Sequence, residues 1–137
     1  MILLLKQVEK KNILIKSIEI IITNFLRGNY AEVCDVSMEP FLRNGDIVFY
    51  KSYMVNKSSL KIGDIVIFRH PILNINSIKR VTQISNFGVE VCGDNKEFSK
   101  DSSNFFGFIQ KERVIGIVTF RITNYRFFNI KSLLSNK

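Results

Sequence analysis

The residue best suited to nucleophilic chemistry is Ser37. It follows residues 30–34, whose alternating side chains predict a β-strand, and it stands three residues before Pro40. Because proline cannot donate to a β-ladder and disfavours helix in the residue before it, the strand must end here. The hydroxyl of Ser37 is therefore presented at a strand edge. That position suits a nucleophile, although an ordinary turn serine explains this stretch equally well when it is taken alone.

A serine hydroxyl is a weak nucleophile and needs a base to accept its proton. The single histidine, His70, belongs to a turn after an apolar strand and has no special claim to that role. Lysine can replace histidine if burial keeps its amine neutral. Lys79 meets this demand, since alternation along a β-like run places it on one strand face with Ser77 and Val81. By itself, a strand lysine is more often an edge residue whose amine reaches solvent.

Residue types elsewhere in the chain predict no metal and no cofactor. One histidine cannot form a histidine-rich site, and Cys34 and Cys92 are far apart and match no metal-ligand spacing. There is no glycine-rich phosphate loop. Both cysteines lie in β-like runs, which is typical of small buried thiols, and the sequence leaves open whether they pair.

Composition and charge describe a folded domain with a positive surface. The chain has 137 residues, of which 46% are hydrophobic and 23% charged, so one globular domain with a real core is expected. The net charge is +8, but the basic residues are spread along the whole chain without a long block. This argues against a nucleic-acid site and leaves a generic positive surface or a membrane surface as interpretations.

A helix is predicted over residues 12–27, where polar side chains recur at intervals of three and four. These polar residues are Asn12, Lys16, Glu19, Thr23 and Arg27. The charges of Lys16 and Glu19 argue against a membrane-spanning helix. Two alternatives remain: the helix docks on the core of the domain, or it lies in a membrane interface. No clear transmembrane segment is present, and the protein is expected to be membrane-associated or cytoplasmic.

Short strands separated by Gly, Asp and Asn turns follow the helix. They are predicted over residues 30–34, 46–51, 61–68, 75–84, 88–92 and 113–122. A polar loop is expected over 93–107 and a short helix over 127–134. The pattern predicts a mainly β fold, an antiparallel coiled or barrel-like sheet with one amphipathic N-terminal helix. The expected division is a helical segment over 1–29, a β domain over 30–122 and a basic tail or short helix over 123–137.

Three segments, taken in order, resemble type I signal peptidases. They are Ser37-Met38-Glu39-Pro40 with Gly45-Asp46, then Ile78-Lys79-Arg80-Val81, then Gly93-Asp94-Asn95 with Ser99-Lys100-Asp101-Ser102. The resemblance extends over about residues 33–118. Self-cleaving repressor domains are similar in the serine and lysine segments but are not expected to carry the Gly-Asp-Asn loop.

The resemblance implies a serine–lysine dyad on a signal-peptidase catalytic core. Ser37 would be the nucleophile, with its backbone N–H as an oxyanion donor, and Lys79 the general base. Ser99 would orient the lysine amine, and Asp101 and Asp94 would support their loop. No cofactor is implied.

The substrate implied by the resemblance is a signal or leader peptide of a precursor. It would add as a strand beside the catalytic edges, with small residues before the cut. The residues expected to contact it are Asp35, Val36, Met38, Ser77 and Ile78.

Two positions depart from the pattern of the family. Asp35 stands where bacterial members carry a Ser or Thr that donates to the oxyanion, and Ser103 stands where an arginine usually partners the aspartate. Arg80 or Lys100 is expected to replace that arginine. These departures keep two alternatives open: a catalytically degenerate peptide-binding module and a self-cleaving, repressor-type regulatory domain.

Overall fold

The computed structural model describes residues 2–54, 60–101 and 105–123, and within them one helix precedes six strands. The elements are α1 (Ile2–Leu26), β1 (Tyr30–Glu32), β2 (Ile47–Ser52), β3 (Ile65–Arg69), β4 (Asn76–Ser85), β5 (Gly88–Cys92) and β6 (Val114–Ile122). The short helix predicted over 127–134 lies outside the described residues, as does nearly all of the predicted C-terminal tail.

The six strands form one antiparallel sheet in the order β1-β2-β6-β3-β4-β5. The mainly β prediction is therefore confirmed, and the sheet is coiled rather than closed into a barrel. Register shifts occur between Phe49 and Tyr50, between Ile67 and Phe68, and between Val81 and Gln83. Such irregularities bend a strand and increase its twist, which is how an open sheet can curl around a core.

The central strand β3 is buried on both of its faces. Val66 and Phe68 point into one hydrophobic cluster, and Ile65 and Ile67 point into another. The first cluster also contains Tyr53, Val81, Val89, Val91, Ile109 and Val114, and the second contains Val33, Met38, Leu42 and Val48. Because side chains alternate along a strand, β3 divides the core into two layers.

Two equivalent turns lead into β2 and β3, as the repeated Gly-Asp pairs predict. The Asp46 carboxylate accepts the backbone N–H of Arg43 at 2.9 Å, and the Asp64 carboxylate accepts that of Lys61 at 2.8 Å. An aspartate that accepts the backbone N–H of the residue three positions before it stabilises a turn in this way. The strand expected over residues 61–68 consequently begins later, at Ile65, because its first residues form the turn.

The N-terminal helix is longer than predicted and does not bury an apolar face. It begins at Ile2, and its most extensive strand contact is with β2. The side chains of Ile13, Leu14 and Ile20 are 65%, 60% and 54% exposed. The prediction that this helix docks on the core is therefore wrong for its described side chains. Among the residues that the structure describes, no helix combines the length and hydropathy needed to span a bilayer.

Candidate active site

Ser37 lies in a compact series of turns after β1. The backbone N–H of Glu39 donates to the carbonyl of Val36 at 3.1 Å, and that of Leu42 donates to the carbonyl of Met38 at 2.9 Å. These bonds fix the backbone on both sides of Ser37, whose side chain is largely buried. The serine is therefore presented on a rigid segment, a requirement for a well-positioned nucleophile.

Lys79 is buried inside β4, opposite Val66 of β3 in the sheet register. Only 5% of the residue is exposed, because alternation turns it to the same side as the core residue Val81. Its amine Nζ donates a hydrogen bond to Ser99 Oγ at 2.6 Å and lies 3.6 Å from Asp101 Oδ1. An amine in such a place is satisfied by protein groups rather than by bulk water.

Asp101 anchors the loop that carries Ser99. Its Oδ1 accepts the backbone N–H of Gly93 at 2.8 Å and also accepts the hydroxyl of Ser99. The other carboxylate oxygen, Oδ2, accepts the thiol of Cys92 at 2.9 Å. Both oxygens of this buried carboxylate are therefore hydrogen-bonded, as buried charged groups require.

The same loop also forms hydrogen bonds with the segment that contains Ser37. The backbone N–H of Asn95 donates to the Ser37 carbonyl at 2.9 Å, and Asn95 Nδ2 donates to the Val36 carbonyl at 3.2 Å. Gly93 is packed so closely that a Cβ on it would lie 2.5 Å from the Ser37 carbonyl oxygen. Only glycine allows this approach, so the loop and the serine segment form one unit.

One cavity of ≈ 540 Å³ is lined by both Ser37 and Lys79. Asp35, Ser77 and Ile78, three of the residues predicted to contact a substrate, also line it. Within the described parts of the chain, the hydroxyl of Ser37 makes no hydrogen bond to Lys79, whose amine is turned to Ser99 instead.

Two of the residues expected to contact a substrate have other surroundings. Met38 is wholly buried in the core with Leu42 and Val48, so its expected contact with a substrate is corrected to a packing role. Val36 is partly exposed beside the cavity, and its carbonyl is held by Asn95.

The electrostatics of the site favour a neutral lysine and a charged aspartate. Burial lowers the pKa of Lys79, and the charges of Asp101 and Asp35 oppose this shift only in part. Burial alone would raise the pKa of Asp101, but hydrogen bonds from Cys92, Ser99 and Gly93, together with the charge of Lys79, bring it below its ordinary value. The amine of Lys79, whose pKa is lowered, thus lies beside the hydroxyl of Ser99 and lines the same cavity as Ser37.

Arg80 points away from Lys79 and holds the outer side of the loop. Its guanidinium donates two hydrogen bonds to the Asp94 carboxylate, at 2.8 and 2.7 Å, and a third to the Gly63 carbonyl at 3.0 Å. It also lies over the ring of Phe41, 4.9 Å from the ring centre. The expectation that Arg80 or Lys100 pairs with Asp101 is therefore wrong for Arg80, which binds Asp94.

Lys100 does not pair with Asp101 either. Its amine lies 5.8 Å from the centre of the Phe105 ring, and the cation nearest to Asp101 among the described residues is Lys79. Asp94, expected to support the loop, does so through Arg80 rather than through Ser37 or Lys79.

The single histidine has a structural role. His70 Nδ1 accepts the backbone N–H groups of Ile72 and Leu73, at 3.2 and 3.0 Å, and burial lowers its pKa, which keeps this nitrogen an acceptor. Within the described ranges, His, Cys, Asp and Glu form no group of three that could hold a metal ion.

The two cysteines do not share the surroundings expected of them. Both are free, and Cys34 is exposed rather than buried. Cys92 is only partly buried, and its thiol contacts the site through Asp101. Sequence reasoning gave no site role to Cys92, whose one signal is that it directly precedes Gly93. Asn95 belongs to the Gly93-Asp94-Asn95 motif of the resemblance, but no contact was assigned to it.

The family model "Signal peptidase, peptidase S26" matches residues 9–85, which is 77 of the 137 residues. The chain belongs to the S26 signal peptidase family. The match contains Ser37 and Lys79 and ends before the loop that holds Ser99 and Asp101. No curated protein matched the chain.

The buried amine of this signal peptidase relative predicts a pH-dependent stability. The pKa of Lys79 is lower in the folded state than the 10.5 of an exposed lysine, so between these two values the unfolded chain binds more protons. The free energy of unfolding must therefore rise with pH across that window and be lowest below it. We expect urea unfolding, followed as pH rises toward 10.5, to show this rise in the wild type relative to Lys79→Met, which lacks the amine.

The control is Lys51→Met, which removes an exposed lysine of β2 and should leave the slope unchanged. The pKa of Cys92, raised by burial from 9.0 to about 11, makes stability fall with pH above about 9, but this contribution is common to the wild type and Lys79→Met and cancels in their comparison. An identical slope in wild type and Lys79→Met would contradict a lowered lysine pKa.

Proposed function

We propose that this member of the S26 family is a serine endopeptidase that cleaves signal or leader peptides from precursors, with Ser37 as nucleophile and Lys79 as general base. The observation that carries the proposal is the buried amine of Lys79, lining one cavity with the hydroxyl of Ser37. A neutral amine is needed there, and burial shifts the pKa of Lys79 in the direction that favours the neutral form.

The reaction begins when Ser37 Oγ attacks the scissile carbonyl and its proton passes to Lys79 Nζ. The Ser37 side chain rotates toward the amine when substrate binds, since catalytic hydrogen bonds commonly tighten only in the complex. The ammonium then gives its proton to the leaving amine as the peptide C–N bond breaks and an acyl-enzyme remains. Water, deprotonated by the same lysine, hydrolyses the ester and regenerates Ser37.

Two features support the stabilisation of the oxyanion and of the base. The backbone N–H of Ser37 has no acceptor among the described residues, so it is available to the oxyanion that develops on the substrate. Ser99 accepts a hydrogen bond from the lysine amine and donates to Asp101, which fixes the direction of the amine. The lone pair of the neutral amine is then left for the proton of Ser37.

The cavity suits an extended peptide. Its walls come from residues 31–35, at the end of β1 and just beyond it, on one side and from residues 75–79, at the start of β4, on the other. Segments of this kind can bond the backbone of an added strand, and pockets between them select side chains. Asp35, Ser77 and Ile78 would be the contacts, and signal or leader peptides are the substrates that the family suggests.

The first prediction from this mechanism concerns the dyad. Ser37→Ala and Lys79→Ala should each reduce cleavage by a factor of roughly 10³ or more, because the members of a catalytic unit act together. The assay incubates the protein with leader peptides encoded near its gene and maps the cuts by mass spectrometry. Ser85→Ala and Lys51→Ala, which change the same residue types away from the cavity, should retain activity.

Other outcomes of this assay select between the functional alternatives. A Lys79→Ala variant that cuts at the parent rate would disprove the dyad. Binding of peptides by the wild type without any cut would favour a peptide-binding module. Fragments of the protein's own chain, absent from Ser37→Ala, would favour a self-cleaving regulatory domain.

The second prediction concerns the pH dependence of cleavage. Below the lowered pKa of Lys79 the amine is protonated and cannot accept the serine proton, so activity is lost as pH falls and present above that pKa. We expect the logarithm of kcat/KM to rise with a slope of about one and then level off below the ordinary lysine value. A flat profile from mildly acid to alkaline pH, in protein that circular dichroism shows to be folded throughout, would count against a lysine base.

We further propose that α1 lies on an anionic membrane surface. Ile13 and Ile20 are exposed and seven residues apart, hence on one helix face, and Lys10, Lys11 and Lys16 are exposed on the same helix.

Flotation with anionic vesicles should recover the protein, and Ile13→Gln with Ile20→Gln should reduce recovery several-fold. Phe87→Gln, at an exposed phenylalanine of the β4–β5 turn, is the control. No binding of the wild type to anionic vesicles would refute the membrane proposal.

A further inference from the structure

The thiol of Cys92 contacts Asp101, which anchors the loop that carries Ser99, but it has no part in the mechanism described above. Cys92 is the last residue of β5 and directly precedes Gly93. Its Sγ donates to Asp101 Oδ2 at 2.9 Å. The other oxygen of that carboxylate, Oδ1, accepts from Ser99 and lies 3.6 Å from the amine of Lys79.

We propose that Cys92 is a positioning residue, whose S–H group holds Asp101 Oδ2 so that Oδ1 faces Ser99 and Lys79, and which thereby controls the orientation and basicity of the lysine amine. The inference rests on the proposed role of Lys79 as the base. The proposed effect passes through three hydrogen bonds: Cys92 bonds Asp101, Asp101 bonds Ser99, and Ser99 bonds Lys79.

The hydrogen-bonding needs of Asp101 are the first argument. The carboxylate is only 4% exposed, and both oxygens of a buried carboxylate require donors. Oδ1 is satisfied by Gly93 and Ser99. Arg80 binds Asp94, and the amine of Lys100 lies near Phe105, so within the described residues the donor that Oδ2 receives is the thiol.

The protonation state of the thiol is the second argument. Burial raises the pKa of Cys92 to about 11, so near neutral pH the sulfur carries the hydrogen that the bond to Asp101 needs. A thiolate would repel the carboxylate instead. Cys34 gives the contrast, because it is exposed and its sulfur contacts only a backbone carbonyl, that of Glu32, at 3.7 Å.

Removal of the donor has a defined consequence for the lysine. Without the thiol, Oδ2 is left unsatisfied, and the carboxylate becomes a stronger counter-charge for the ammonium form of Lys79. The pKa of Lys79 should then rise, and less neutral base is present near neutral pH. A charged Cys92 thiolate would also raise this pKa, but the thiol, with its pKa of about 11, carries no charge near neutral pH, so its removal does not offset the effect. Since Cys92 does not line the cavity of Ser37 and Lys79, substrate binding should change little.

The experiment compares three variants with the wild type. Cys92→Val removes the donor at similar volume, Cys92→Ser keeps a donor, and Thr82→Ala removes a different side-chain hydrogen bond on the same strand pair. The pKa of Lys79 is read by NMR of ¹³C-labelled lysine, with Lys79→Met assigning the signal. Cleavage of a leader peptide is measured in parallel as kcat and KM across pH.

We expect Cys92→Val to raise the pKa of Lys79 and to lower kcat near pH 7 by roughly three- to tenfold, the effect of one hydrogen bond, with KM nearly unchanged. The deficit in kcat should narrow as pH rises, whereas a loss of structure alone would not depend on pH in this way. Cys92→Ser should restore most of both properties, and Thr82→Ala should resemble the wild type.

An unchanged pKa of Lys79 in Cys92→Val, or a loss in kcat that is equal at every pH, would overturn the proposal. If Cys92→Val does not fold, Cys92→Ala and Cys92→Ser provide the same comparison of donor absent against donor present. The NMR titration needs no substrate. A lysine pKa that follows the Cys92 substitutions in a protein that cuts no peptide would therefore support the positioning role while refuting the proposed function.

Discussion

The burial of the Lys79 amine constrains the strands and the loop that surround it. Removal of Lys79 from water favours its neutral form, and Asp101 beside it favours the charged form. Burial dominates, so the pKa falls even though a carboxylate lies 3.6 Å away. That outcome requires β4 to place a lysine on its core face, and it requires nearby polar groups to hold the amine without fully neutralising the effect of burial. Ser99, as an uncharged acceptor at 2.6 Å, meets the second requirement.

Adjacent positions on β4 divide two tasks between the faces of the sheet. Lys79 points inward to the cavity, and Arg80 points outward to bind Asp94 and to cover the ring of Phe41. The arginine thus holds the loop from outside, while Asn95 bonds the serine segment from inside. Because the loop contacts both sides, hydrogen bonds made by Arg80 and Asn95 hold the serine and lysine segments in their relative positions. These two residues can therefore be well positioned without a direct hydrogen bond between their side chains.

Local patterns predicted the strands well and the long-range contacts poorly. Alternation along β4 correctly turned Lys79 toward the core, and each Gly-Asp pair correctly marked a turn whose aspartate bonds its own backbone. Met38 was misjudged because proximity to Ser37 in the chain says nothing about which side of a turn faces the core. Cys92 and Asp101 are nine positions apart and are separated by an irregular loop, so no strand or helix periodicity predicts their contact. The early start of α1 was missed because residues 2–11 are an apolar block followed by a polar one, without the helical period.

Asp35 shows how far the site departs from the simplest arrangement. Its carboxylate accepts the backbone N–H of Val36 at 2.6 Å, so that N–H is not free to donate to an oxyanion. Its charge also raises the proton affinity of Lys79, in the same direction as Asp101 does. The burial of the lysine therefore has to outweigh two carboxylates rather than one, and under the proposed mechanism the N–H of Ser37 would bind the oxyanion. Both demands make the enclosure of Lys79 between β3, β4 and the Asp101 loop more important here than it would be with a neutral side chain at position 35, because exclusion of water is the one effect that lowers the pKa of the amine.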